Sequence, residues 1–394
     1  MDVKPSHRAA SVKTSPTLAV AAQAAELERA GREILNLAAG QPDFDTPPHV
    51  KAAAIAAIEA GFTKYTEIDG TPDLKRAILA KFERDNALTF RPEHVLVSCG
   101  GKHSLYNLMQ ALLNEDDEVL IPAPYWVSYP DMARLAGADP VIIRTKFKQH
   151  FKITPEQLRG ALGPRSRLLI LNSPANPSGA VYTRSELEAL GHVLMDFPEV
   201  IVVSDDIFEH VRWTGEAFVN ILNAVPRLHE RTVIVNGVSK AYGMAGWRIG
   251  YAAGPAPLVT AMKRIQSQST SNPTSIAQAA AQAALEGTQD FLLERNEEYR
   301  RRHDFVLREL ALIRGVNVHP ADGSFFVFPD MSGVIARRAD LDDDVALAEF
   351  LLDQAGIAVV PGAAFGAPDC LRLSLAASMD TLREALARMR KLLA

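Results

Sequence analysis

Short runs of β-branched and aliphatic residues alternate with stretches of helical spacing along most of this chain, and few architectures accommodate that alternation. Runs at Val95–Ser98, Glu118–Ile121, Leu168–Leu171, Val200–Val203, Val233–Val235 and Ile249–Ala252 read as buried strands. Helical patterns such as Lys102–Leu113 and Arg184–Met195 separate them. Strand, crossover helix and next strand repeat, which predicts an α/β fold around a largely parallel sheet. An alanine- and charge-rich segment, Ser275–Leu312, has helical spacing and leads into a second unit. There Gly323–Val327 and Cys370–Leu375 read as strands, and Asp343–Ala355 and Met379–Leu393 as helices. The first ~45 residues read as a helix followed by a Gly/Pro-rich loop.

At 394 residues the chain is long enough for more than one core. Its 42 Lys+Arg against 47 Asp+Glu give a net charge of −5, the wrong sign for a nucleic-acid binder. Two cysteines, Cys99 and Cys370, cannot staple a chain of this size, and a reduced setting follows. No apolar run is long enough to span a bilayer. Thr17–Ala25 follows Lys4, Arg8 and Lys13, but Gln23 and Glu26 interrupt it. It predicts an amphipathic helix to Gly31 rather than a secretory leader, and the expected location is the cytoplasm.

Familiar motifs mostly fail. Gly100-Gly101-Lys102 follows a strand and opens a helix, but lacks both dinucleotide and Walker spacing. Gly237-Val238-Ser239-Lys240-Ala241 is an incomplete nucleophile elbow. The ten histidines show no metal-ligand spacing, so no metal is expected. What remains is a set of polar residues at the carboxyl ends of the expected strands, the edge where open α/β sheets bind ligands. Gly100-Gly101 offers backbone N–H groups at a helix start, or is an ordinary tight turn. Asp205 and Asp206 are a solvated loop or cap, unless one is buried to face a cationic ring nitrogen. Lys240 is a surface lysine, unless neighbouring cations lower its pKa for imine chemistry. Arg248, between glycines and beside Trp247, suits an anion clamp. Asn176-Pro177-Ser178-Gly179 has turn propensity. Trp126 fits either a core or a stacking platform. Arg372 interrupts an apolar strand, which calls for an anionic partner. Together these groups match the needs of a phosphorylated pyridine aldehyde.

The order of these motifs resembles the class I aminotransferases of fold type I, and within them the bacterial aspartate and aspartate/prephenate subgroup. The resemblance is carried by Gly40-Gln41-Pro42-Asp43-Phe44, Lys64-Tyr65-Thr66, Gly100-Gly101-Lys102, Pro124-Tyr125-Trp126, Asn176-Pro177-Ser178-Gly179, Ser239-Lys240 and Gly246-Trp247-Arg248-Ile249-Gly250. It implies a large domain over 48–290 with a mostly parallel seven-stranded sheet, and a small domain over 291–394. Residues 1–47 would pack with the small domain and with a partner. The implied cofactor is pyridoxal 5′-phosphate, the implied assembly a homodimer with shared sites, and the implied kinetics ping-pong.

The resemblance also implies residue roles. Lys240 carries the internal aldimine and shuttles the proton, and Asp205 pairs with the pyridinium nitrogen. Arg248, the backbone at Gly101 and Lys102, and Tyr65 from the partner hold the phosphate, with Ser239 also in contact with the cofactor. Trp126 stacks on the ring and Asn176 bonds its oxygen. Arg372 and the Gly40 backbone grip the α-carboxylate. Lys102 and Thr17 of the partner's N-terminal segment contact a distal carboxylate, and Lys13 matches a basic residue associated with dicarboxylate or prephenate use. Asn272 would help complete the neighbouring site. Three positions depart from the pattern. Phe208 replaces a tyrosine that donates to the ring oxygen, His103 replaces a common glutamine, and Gly237 stands where some subgroups have a serine. Aspartate or glutamate is the expected donor; aromatic or broad specificity, prephenate use, and carbon–sulfur β-elimination are the alternatives. A ligand sensor retaining the fold is a third reading.

Overall fold

A computed structural model describes residues 3–12 and 16–394. Its largest sheet has seven strands: β1 (Val95–Ser98), β2 (Glu118–Ala123), β3 (Asp139–Arg144), β4 (Ser166–Asn172), β5 (Ile201–Asp205), β6 (Thr232–Gly237) and β7 (Gly250–Ala253). Their spatial order is β1-β7-β6-β5-β4-β2-β3. All neighbours are parallel except β7, which runs antiparallel to both β1 and β6. Only a 3₁₀ turn, Ala245–Trp247, lies between β6 and β7, so the chain has no crossover helix to return it in parallel. Every residue of β1, β6 and β7 is buried, because helices cover both faces of the sheet.

The six strands expected here are all present, with ends shifted by one or two residues. One shift matters: Asp205 is the last residue of β5 rather than a loop residue after it. Strand β3 went unread. It begins Asp139-Pro140 and ends at Arg144, and turn-forming residues at a strand start mask it. Proline is tolerated there because β3 is an edge strand.

The segment Ser275–Leu312 is two helices, Ser275–Glu286 and Phe291–Ala311. The break falls at Gly287, where a Cβ would collide with His49 and the Ala283 carbonyl. The first helix packs on Pro48–Glu59 against the large sheet, and the second packs on Met379–Leu393. The two halves therefore belong to different hydrophobic cores. Ala280, Ala281 and Ala284 join one; Tyr299, Val306 and Leu310 join the other.

The second core surrounds a three-stranded antiparallel sheet of β8 (Phe326–Val327), β9 (Val360–Pro361) and β10 (Leu371–Ser374), in the order β9-β10-β8. The strand expected from Gly323 is shorter because Ser324 has φ +58°, which ends extended backbone on that side. A parallel pair joins Leu35–Asn36 to Ile357–Ala358, so residues near the start of the chain complete a core made by its end. Helix Pro16–Arg29 occupies the expected amphipathic stretch. Among the described residues, no helix is long and apolar enough to cross a membrane.

Candidate active site

The carboxyl ends of β1, β4, β5 and β6 open onto a cavity of about 510 Å³, closed on the far side by residues of the second core and by helix Pro16–Arg29. At one end β1 passes through Cys99 and Gly100 into helix Gly101–Leu112, whose first N–H groups lack intrahelical partners. Arg248 lies against this turn. Its Nη1 donates to Ala245 O (2.8 Å) and its Nη2 to Cys99 O (3.2 Å). Gly100 has φ +90°, and a Cβ there would collide with the Arg248 guanidinium. Gly250 must likewise lack a side chain for β7 to lie against Gly101. Spacing glycines around Arg248 thus lets a guanidinium and a helix start share one small volume, which favours an anion.

Asp205 is 5% exposed at the end of β5. Tyr129 Oη donates to its Oδ2 at 2.6 Å, and the Ile207 N–H to its Oδ1 at 3.3 Å. Burial outweighs these bonds and the Lys240 charge, and pushes its pKa up to about 6. Asp206 is buried as well, so neither carboxylate is the solvated loop residue considered from sequence. It faces elsewhere, accepting from Ser204 Oγ (2.6 Å) and Asn220 Nδ2 (2.9 Å). Adjacent residues at a strand end face opposite sides, so the pair divides between the cavity and the interior. Beyond Asp206 lie Asp85, Glu209 and His210, grouped closely enough to suggest a cation site. Lys81 already occupies that role, paired with Glu209.

Lys240 Nζ donates to the Gly40 carbonyl at 2.7 Å. Burial lowers its pKa to about 8, followed by repulsion from Arg372 and Arg248, with Asp205 opposing. The amine is therefore far easier to deprotonate than a surface lysine. The rings of Phe208 and Phe325 lie 5.7 and 5.9 Å from it.

Arg372 is 2% exposed in β10. It donates from Nη2 to Ala38 O (2.8 Å) and from Nη1 to Asn176 Oδ1 (3.1 Å), and its Nε has no partner. Its guanidinium lies over Phe326 and Phe365, with centroids at 4.3 and 5.1 Å. No carboxylate of the described residues pairs with it. Burial pulls its pKa down to about 9, so it stays charged near neutrality. A buried cation with neutral acceptors and, among the described residues, one unpartnered donor is suited to bind an anion.

The remaining expected residues fall around these four. Trp126 lies beside Lys102, whose Nζ is 4.8 Å from the indole centroid. Burial and Arg248 lower the Lys102 pKa. Gly40, Gly101 and Ser239 line the same cavity, and so does Thr17 of the same chain, which corrects the expectation that this threonine comes from the partner: helix Pro16–Arg29 lies over its own chain's cavity. Tyr65 does not line it within one chain and is 90% exposed. Lys13 lies outside the described residues. Two polar lining residues that bond Asp205 escaped the sequence reading. Tyr129 bonds Asp205 from 76 residues away. Asn172 Nδ2 donates to the Asp205 carbonyl while its Oδ1 accepts from the Asn176 N–H. Asn172 had a signal, since it ends a strand at the ligand edge. Tyr129 had none.

Known proteins share this fold and sequence pattern. The family model for aminotransferase class I and II matches residues 32–389. The chain is 51% identical to the aspartate/prephenate aminotransferase of Nitrosomonas europaea, covering 99% of this chain and all of that one. It is 46% identical to the aspartate aminotransferase of Geobacillus stearothermophilus, over 99% and 98%. The crystal structure of the aspartate aminotransferase from Rhizobium meliloti superposes with a TM-score of 0.96 at 44% identity, covering 100% of this chain and 99% of that one. The Thermus thermophilus aspartate aminotransferase with maleate superposes at 0.93, with 43% identity over 99% and 100%. The chain belongs to the class I and II aminotransferases, pyridoxal 5′-phosphate enzymes of fold type I that exchange an amino group between an amino acid and a 2-oxo acid.

Proposed function

We propose that this enzyme takes dicarboxylic amino acids, aspartate or glutamate first among them, and that its cavity holds the cofactor between Asp205, Lys240 and Arg248. The observation that carries this reading is the buried, carboxylate-free Arg372 facing the same cavity as a lysine with a depressed pKa. The donor set fits the cofactor. A buried carboxylate suits a ring nitrogen, an easily deprotonated amine an aldehyde, and a guanidinium at a helix start a phosphate. When bound, pyridoxal phosphate supplies the carbonyl that takes the amino group and the ring that accepts electron density from the α-carbon. Lys240 holds the aldehyde and moves the α-proton at Nζ. Asp205 keeps the ring nitrogen protonated. Arg248, the Gly101 and Lys102 backbone and Ser239 hold the phosphate, Trp126 covers the ring face, and Asn176 donates to the ring oxygen.

Arg372, with the Gly40 backbone, orients the α-carboxylate, and Lys102 selects the distal one, assisted by Thr17 of the same chain. The relatives support a second carboxylate. One solved neighbour is described with maleate, and relatives at 51% and 53% identity carry both aspartate and prephenate in their names. The test is a half-reaction screen that follows the cofactor's absorbance with aspartate, glutamate, arogenate, phenylalanine, alanine and arginine. Aspartate and glutamate convert fastest; conversion by neutral or aromatic donors alone overturns the reading, and release of pyruvate and ammonia without a 2-oxo acid identifies a lyase instead. In Lys102→Ala, kcat/KM for aspartate falls by roughly 10–100-fold, the size of one hydrogen bond to a charge. Alanine is nearly unaffected. An unchanged aspartate-to-alanine ratio removes Lys102 from substrate recognition.

Phe208 is 2% exposed and packs edge-on against Phe325 and Phe326, so the site keeps an aromatic shape and lacks only the hydroxyl. Restoring the donor in Phe208→Tyr stabilises the ionised ring oxygen. The pH at which the holoenzyme's visible absorbance titrates then drops by about one to two units, as expected for a charge-assisted bond. No downward movement refutes the inference.

The shared-site homodimer is supported by an exposed apolar run on one edge. Ile55, Ile58 and Phe62 are 56%, 54% and 39% exposed, and Tyr65 follows them. We assign Tyr65, and with it Asn272, to the neighbouring site. Sedimentation of the holoenzyme gives a dimer; a fully active monomer contradicts this. The proposed unit boundaries at 47/48 and 290/291 are supported by Leu35 and Leu37 joining the second core, although Phe208 and Val211 reach into that core from the larger unit and Phe291 and Leu292 pack against the first.

A further inference from the structure

We propose that Tyr129 is a positioning residue for the cofactor's ring nitrogen, acting through Asp205: its hydroxyl fixes the carboxylate and keeps the shared proton on the ring. The inference rests on the assignment of Asp205 to that nitrogen. Tyr129 is 2% exposed and lines the cavity. Its hydroxyl bonds Asp205 Oδ2 at 2.6 Å, the short distance typical of a donor to an ionised acceptor.

The groups facing Asp205 are few. From its own segment the Ile207 N–H reaches Oδ1 at 3.3 Å, a long bond. From β4, Asn172 bonds only the main-chain carbonyl. From the segment after β6, Lys240 contributes charge while its Nζ donates to the Gly40 carbonyl instead of to the carboxylate. Among the described residues, Tyr129 thus supplies the one short side-chain hydrogen bond to this carboxylate.

The direction of the effect follows from where that bond sits. A carboxylate and a ring nitrogen compete for one proton. A donor to the carboxylate lowers its proton affinity, and the proton stays on nitrogen. Burial works the other way, raising the carboxyl toward neutrality. Tyr129 offsets burial, and its own hydroxyl keeps its proton near neutrality, since burial and Asp205 push its pKa well above the ordinary tyrosine value. The same short segment also presents Trp126. The Tyr129 N–H donates to Trp126 O at 3.1 Å, and the two rings meet edge to face at 5.4 Å. One turn of chain therefore sets both the plate over the ring and the charge at its nitrogen.

Tyr129→Phe removes the hydroxyl and little volume. With cofactor labelled at the ring nitrogen, the ¹⁵N resonance of wild-type holoenzyme at pH 7.5 lies at the protonated-pyridine position; in Tyr129→Phe it moves toward the unprotonated one. Cofactor release accelerates by about 10-fold, the size of one charge-assisted hydrogen bond. A lower melting temperature with an unmoved ¹⁵N signal makes Tyr129 merely structural and overturns the proposal. Loss of visible absorbance in Lys240→Ala but not wild type keeps the underlying reading distinct from this one. Where Tyr129→Phe does not fold, 3-fluorotyrosine placed at 129 serves in the cofactor-free protein. As a stronger donor it lowers the Asp205 carboxyl titration followed by ¹³C NMR, and no shift is again fatal.

Discussion

Replacing Lys240 by alanine lowers the half-reaction rate with aspartate by up to ~10⁴-fold, the upper range for removal of a general base, as the role proposed for it at the α-carbon requires. Lys240→Arg is equally impaired. Arginine keeps the positive charge but cannot deprotonate, so the pair of variants separates a need for charge from a need for a free amine. Burial and the Arg372 and Arg248 charges depress this amine to about 8. In cofactor-free protein, covalent capture of pyridoxal phosphate therefore speeds up as pH rises from 6 to 9, with a midpoint near 8. A midpoint above 10 means that the surroundings leave the lysine unperturbed. Borohydride reduction of holoenzyme followed by peptide mapping places the label on residue 240. A label elsewhere removes the basis for every other role assigned here.

The second large effect is expected at Arg372. In Arg372→Leu, kcat/KM falls by roughly 10²–10³-fold for every amino acid tested, because the α-carboxylate is common to all of them and a buried pair stripped of one partner loses about 3–5 kcal/mol. Lys102→Ala discriminates between donors; Arg372→Leu does not. The cofactor-free protein stays folded. Leucine fits the apolar strand and the Phe326 and Phe365 rings, although Ala38 O and Asn176 Oδ1 lose a donor. A donor-dependent loss, confined to dicarboxylates, places Arg372 at the distal end instead.

Much of this was legible before any coordinates. Strands buried on both faces leave dense apolar runs, and six of the seven in the large sheet could be read that way. The edge strand Asp139–Arg144 could not, because its first residues are those of a turn. The break at Gly287 was hidden because both halves of the segment are strong helix formers, and only the separation of the two cores requires it. Among site residues, those in short motifs at strand ends were visible: Asp205, Lys240, Arg248 and Asn176. Arg372 betrayed itself as a cation in an apolar strand. Tyr129 was invisible because its meaning lies in a contact across 76 positions, and pattern within a segment carries no record of that.

The pairing of Leu35–Asn36 with Ile357–Ala358 bears on how the chain is made. The backbone of residues 35 and 37 is satisfied by carbonyls at 356 and 358. A ribosome adding roughly 5–20 residues per second takes about 15–60 s to travel between these two points. Through that interval the early segment emerges with no mate, while the seven-stranded sheet can already assemble behind it. A late stitch therefore joins the backbone at Leu35–Asn36 to the backbone at Ile357–Ala358, and a chain cut before residue 357 keeps all seven strands of the large sheet while leaving Leu35–Asn36 without its mate.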